Sequence, residues 1–158
     1  MIHAREVLSN QFLASANDPS WYIPFLQATE GITEAQASWK PGAGMNSIAE
    51  ITRHLIYWNE TWQARYFKGH LDAVPSIGSN DLTFIVPAEA TFAGLRAELA
   101  KVLLLWQELL AEERLDDRLE EPVGGFPGPA AWWEIVSNAA AHNAYHIGQI
   151  VVIRKLQA

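Results

Sequence analysis

An all-α fold, a four-helix bundle, is what this 158-residue chain predicts, and three observations lead there. Four stretches repeat apolar residues at the three- and four-residue spacing of a helix face. The segments between them carry N-cap residues, prolines and glycines where helices start and stop. No stretch alternates well enough to build a sheet, so the apolar stripes must be buried against one another.

Residues 4 to 15 form the first helical stretch, with Val7, Leu8, Phe12 and Leu13 on one face. Asn17-Asp18-Pro19 interrupts it; Asp18 can cap a new turn with Pro19 at its first position, and Trp21, Tyr22, Phe25 and Leu26 then resume an apolar face. Residues 4 to 29 are therefore one long interrupted helix or two short ones. Thr33 to Gln36 is a capped single turn, and Trp39 to Gly44 is a loop. Ser47-Ile48-Ala49-Glu50 is a capping box that starts a helix running to about Lys68, where Gly69 ends it. Its core stripe is Ile48, Ile51, Leu55, Trp58 and Trp62. Between His70 and Ala90 no period is sustained, and Pro75, Gly78, Asn80 and Pro87 mark a long loop between the second and third long helices, expected to cover one end of the bundle, with 81–86 as a candidate extended segment. Thr91 caps the next helix, which buries Phe92, Leu95, Leu99, Val102, Leu103, Trp106, Leu109 and Leu110 and ends near Glu113. The charged run 112–118 reads as a solvated helix end. After the turn-rich segment 121–129, with Pro129 suited to a first turn, the last helix runs from about Trp132 to Leu156.

Size and composition narrow the function. One domain, 1–158, is expected, large enough to hold its core without staples. The absence of cysteine removes disulfides, thiolate metal sites and cysteine nucleophiles, and leaves histidine and carboxylate as strong metal ligands. A formal net charge of −7 with no basic stripe argues against nucleic acid as a partner. No signal-like N-terminus and no apolar run of about 18 residues are present, so a cytoplasmic protein without membrane contact is expected. Seven tryptophans either fill a core or line a pocket for an organic ligand.

His142 and His146 lie four residues apart on the last helix, so they share a face and can share a metal ion. Between Ala131 and Ile153 the only charged residue is Glu134, which predicts a helix apolar around most of its circumference. The pair alone is equally compatible with two core histidines bonded to backbone or hydroxyl groups. A third histidine tips the balance. His3 is terminal and His70 lies past Gly69, whereas His54 sits mid-helix at the edge of the second helix's stripe. Three neutral imidazoles from two helices make an open N3 site. Such a site would lose metal as the pH falls through about 6.5, the ordinary histidine value.

Trp39-x-Pro41, Ser47-Ile48-x-Glu50-x-x-x-His54-x-x-x-Trp58 and His142-x-x-Tyr145-His146-x-Gly148-Gln149-Ile150, with Arg154 behind, resemble the DinB-like superfamily of bacterial proteins from about Trp21 to Lys155. The resemblance implies up-down-down-up connectivity, a homodimer, and one divalent metal on His54, His142 and His146, zinc or nickel ahead of iron or manganese. It also implies activation of a low-molecular-weight thiol, or of water, for transfer or hydrolysis of a small-molecule substrate; the competing expectation is a noncatalytic, stress-associated metal-binding or dimerisation bundle. Glu50 is a candidate base as well as the reciprocal half of the capping box, and Tyr145 a candidate donor to a substrate anion as well as a packing residue. Asn138 and Gln149 share the histidine face and can orient imidazoles or satisfy helix neighbours. Arg154 is expected to cap the final helix or pair with an acid.

Overall fold

The computed structural model describes residues 2–111 and 117–158. Its helices are α1 (Ala4–Ala16), α2 (Phe25–Ala28), α3 (Glu34–Ser38), α4 (Ile48–Lys68), α5 (Phe92–Ala111) and α6 (Trp132–Lys155), and no strand occurs among the described residues. The charged run at 112–116 and the expected end of α5 near Glu113 lie outside them. Among the described residues no helix is long and apolar enough to cross a membrane.

Local chemistry sets most boundaries. Glu50 N–H donates to Ser47 Oγ (3.2 Å) and Ser47 N–H donates to the Glu50 carboxylate (2.8 Å), so the expected capping box starts α4. Gly69 stops α4 in the left-handed region at φ 77°, where a side chain would be strained. Thr91 Oγ1 accepts from Gly94 N–H at the head of α5. Two expectations need correction. The chain does not restart at Asp18-Pro19: Asp18 Oδ1 instead accepts from Ser20 N–H (3.0 Å), closing a turn, and helix resumes only at Phe25. Trp21 therefore stands 81% exposed rather than on an apolar face. Pro129 lies outside α6, which begins after Ala131 with the Glu134 carboxylate accepting the Ala131 N–H (2.8 Å).

The long helices form a ring in which α1 and α4 each pack on both α5 and α6. Two apolar clusters fill it. One joins Ile48, Ile51 and Leu55 of α4 to Leu95 and Leu99 of α5 and Ile147, Ile150 and Ile153 of α6. The other joins Leu8 and Phe12 to Tyr66, Trp106, Leu110, Trp132 and Val136. Helices α4 and α5 thus begin at one end of the bundle, and α1 and α6 begin at the other. Arg154 caps a neighbour, not its own helix: Nη1 donates to the carbonyls of Gln27 (3.0 Å) and Ala28 (2.9 Å) at the end of α2.

A helix in a four-membered ring touches two neighbours, so α6 is half-covered and not buried all round. Val136, Ala140, Asn143, Ile147 and Ile150 face inward, while Trp133, Tyr145, Val152 and Leu156 are exposed. In the 70–90 loop the candidate extended segment is a 3-10 turn, Asn80–Phe84, opened by Ser79 Oγ accepting the Asp81 N–H and packed on α4.

Between the two clusters lies a buried polar link. Asn59 Nδ2 donates to Asn143 Oδ1 (2.7 Å) and Asn143 Nδ2 to Asn59 Oδ1 (3.0 Å), and Trp106 Nε1 adds a third bond to Asn59 Oδ1 (2.8 Å). Each of the three residues is at most 2% exposed. Asn143→Leu leaves the Asn59 amide short of a partner and should lower stability by about 1–3 kcal/mol, seen as a lower urea midpoint at unchanged slope. A loss below about 0.5 kcal/mol would mean the amide pair is not what ties α4 to α6. Ser47→Ala should cost about 1 kcal/mol by the same measurement.

Candidate metal centre

The capping box sets the phase of α4, and that phase turns His54 inward beside Ile51 and Leu55, where it is 2% exposed. From α6, His142 is half-buried and His146 buried, one turn apart. Their rings meet the His54 ring at centroid separations of 5.0 and 4.6 Å. One ligating nitrogen from each of His54, His142 and His146 lies within 4.8 Å of the others.

Hydrogen bonds decide which nitrogen each ring presents. Thr83 Oγ1 donates its proton to Asn80 O (2.6 Å), so toward His54 Nδ1, 2.6 Å away, it can only accept. His54 therefore carries its proton on Nδ1 and turns a bare Nε2 lone pair toward α6. His146 Nδ1 donates to Gln149 Oε1 (2.8 Å), which leaves its Nε2 bare as well. His54 Nε2 and His142 Nε2 are 3.1 Å apart. Two nitrogens about 2.0–2.1 Å from one ion, at about 90–110° to each other, lie about 2.8–3.4 Å apart, so the spacing suits a shared ion. The donor set, all imidazole with the protons of His54 and His146 held on their far nitrogens, fits a borderline divalent metal.

Electrostatics keep the rings neutral. Burial, then the proximity of His146 and His142, pushes His54 down to about 3. Burial, then His146, pushes His142 down to about 4. His146 is also lowered by burial, partly offset by its bond to Gln149. The ordinary value of 6.5 expected from the sequence therefore does not set the pH at which this site protonates.

The cluster forms the floor of a cavity of about 470 Å³ walled by Trp58, Trp62, Phe84 and Phe126. Phe84 stacks on His54 at 4.0 Å and 8°, and Trp58 Nε1 donates to Asn80 Oδ1 (3.1 Å), so the 3-10 turn of the loop is both roof and latch. Thr83, Phe84 and Asn80 were invisible as site residues in the sequence because nothing periodic marks a loop that returns to a helix. Gln149 does orient an imidazole. Asn138 lines the cavity without a hydrogen-bond partner among the described residues.

Glu50 and Tyr145 stand off from this cavity. The Glu50 carboxylate holds the Ser47 N–H and pairs with Lys40 (2.7 Å); burial raises its pKa, but those partners outweigh burial and hold it below the usual value. It faces a separate cavity with Asp81 and Ile85. Tyr145 is 65% exposed, its ring edge-on to His146 at 4.9 Å, and borders another cavity of about 610 Å³ along the outer side of α6.

The sequence profile of the DinB superfamily matches residues 24–150. Among solved structures, the crystal structure of YjoA, a DinB-like protein from Bacillus subtilis, aligns with a TM-score of 0.70 over 96% of this chain and 93% of that chain, at 16% identity. That likeness is one of fold. No curated protein matches the chain.

Three outcomes are expected at this site. In metal-free protein the folded values of about 3 for His54 and about 4 for His142 lie below the unfolded value of about 6.5, so the unfolded chain takes up more protons as pH falls. Stability should hold above about pH 6.5 and decline from there toward about pH 4, and urea melts giving equal stability at about pH 7 and 5 would contradict the buried-neutral assignment. Metal occupancy should survive to below about pH 6, because the folded rings stay unprotonated there. Thr83→Val, which removes the acceptor for His54 Nδ1–H, should weaken metal affinity about 10- to 100-fold in a competition titration with a chromogenic chelator.

Proposed function

The chain belongs to the DinB superfamily, and from that premise we propose that it is a metal-dependent enzyme in which His54, His142 and His146 hold one divalent ion, zinc or nickel first, at the floor of the aromatic cavity. The observation that carries the proposal is the convergence of imidazole nitrogens, two of them fixed as bare lone pairs by Thr83 and Gln149, on an open cavity. Three protein ligands leave a position for an exogenous molecule, as catalytic rather than structural sites do. A bound divalent ion lowers the pKa of a thiol or water and supplies a nucleophile near neutral pH.

The chain's own residues supply the setting. Thr83 and Gln149 keep protons off Nε2 of His54 and His146, Phe84 holds the His54 ring in plane, and Trp58 and Trp62 exclude water on one side. With no cysteine in the chain, any thiol must come from solution. Glu50 is committed to the cap and to Lys40, and in this proposal its part is to set the phase of α4; Tyr145 backs His146 from outside. The uncovered strip of Tyr145, Val152 and Leu156 supports association with a second copy as a homodimer.

Protein purified without a histidine tag should contain about one metal per chain, and His54→Ala and His142→Ala should each abolish binding. Turnover of electrophiles with added thiol, lost on chelation and restored by metal, is the expected result. Activity indifferent to thiol would select water as the nucleophile. A large chelator-induced drop in melting temperature without turnover on any thiol and electrophile pair would favour a structural metal. Tyr145→Phe should change turnover less than about twofold, whereas a loss of tenfold or more would bring that hydroxyl into the reaction.

A further inference from the structure

The cavity's walls say more about its occupant than its floor does. Of the described side chains lining it, none is Lys, Arg, Asp or Glu, and the polar ones apart from the histidines are Asn80 and Asn138. Trp58 and Trp62 lie with rings 6.2 Å apart and 21° from parallel, which makes one side of the cavity a flat aromatic wall. Phe84 and Phe126 add further aromatic wall. The Arg65 guanidinium sits 4.9 Å from the Trp62 ring but donates to the carbonyls of Leu71 and Val74 (both 2.9 Å), so it is already held by backbone oxygens.

Resting on the proposed metal centre, we infer that the part of the organic molecule held between these walls is flat, apolar and uncharged, with an acceptor such as a carbonyl or nitro oxygen. A cavity of about 470 Å³ takes a molecule of one to three fused or linked rings. Away from the ion on the floor, an anionic group among these walls would face aromatic π-clouds and give up hydration with no cation among the described lining side chains to replace it. A cationic group would be drawn to the indole faces but repelled by the divalent ion on the floor, with no carboxylate among the described lining residues to offset that repulsion. An uncharged ring system loses little on leaving water and gains stacking against the indoles. Asn80 uses its Oδ1 on the Trp58 N–H, which leaves its amide hydrogens as donors, and Asn138 makes no hydrogen bond among the described residues. Those donors select an acceptor on the ligand. A charged low-molecular-weight thiol would accordingly keep its charges outside the walls and present only its sulfur.

Titration calorimetry on the metal-loaded full chain with acetonaphthone and naphthalenesulfonate tests this, since the two share a ring system and a sulfonate is a poor metal ligand. Acetonaphthone should bind about tenfold or more tightly than the sulfonate. Trp62→Ala should weaken acetonaphthone about fivefold or more while metal content stays at one per chain. Asn138→Lys, at an exposed position that should not disturb folding, should narrow or invert the preference by adding a cation at the cavity wall. Equal or tighter binding of the sulfonate by the unaltered chain, or no binding of either compound, overturns the inference even if metal is retained. Acetonaphthone binding to a chain that holds no metal would leave the inference standing and remove the metal centre instead.

Discussion

The exchange of hydrogen bonds between Asn59 and Asn143 is the constraint on which the site depends. Apolar stripes of two helices can be packed in more than one register, because sliding by a turn of about 5.4 Å brings leucine against isoleucine again. The amides admit only one register. In it both side chains are satisfied and the Trp106 N–H finds its acceptor; a turn away, three buried polar groups would go unpaired, each at about 1–3 kcal/mol. Asn143 adjoins His142, and Asn59 lies just over one turn beyond His54. Fixing α4 against α6 at the asparagines therefore fixes the three imidazoles against one another.

The same logic explains why the centre is half helix and half loop. Helix geometry alone places His142 and His146 on one face but leaves ring rotation and tautomer open. Gln149, one turn on, settles both for His146 from within the helix. For His54 the partner must come from elsewhere, and the turn Asn80–Phe84 delivers a hydroxyl whose own proton is already taken by the Asn80 carbonyl. Phe84, next in sequence, lies flat on the ring. One short turn thus fixes tautomer, rotation and one wall of the cavity.

Burial of three imidazoles has an electrostatic consequence that favours a metal. Each ring resists protonation because charge is costly away from water, and a proton on one raises the energy of a proton on the next. The cluster stays a set of neutral donors well into the acid range, which is the state that binds a cation. The aromatic walls extend the same low-polarity surroundings outward, so the floor is polar and the sides are not.

Much of this was legible in the sequence, and the division follows from the range of the forces involved. Helix spacing, the Ser47–Glu50 box, the Gly69 stop and the His142–His146 pair are written in residues three or four apart, because capping and helix faces are local; they determined the all-α class, the start and phase of α4 and the identity of the histidines that meet. What lay beyond was non-local. That α6 has a bare outer face depends on how many helices surround it. That Asn143 locks a register, that Thr83 and Phe84 complete a centre 29 residues along from His54, and that burial holds its histidines below the ordinary value all depend on which groups are brought together and on the water removed when they meet. Those are properties of the packed bundle, and only the tertiary structure decided them.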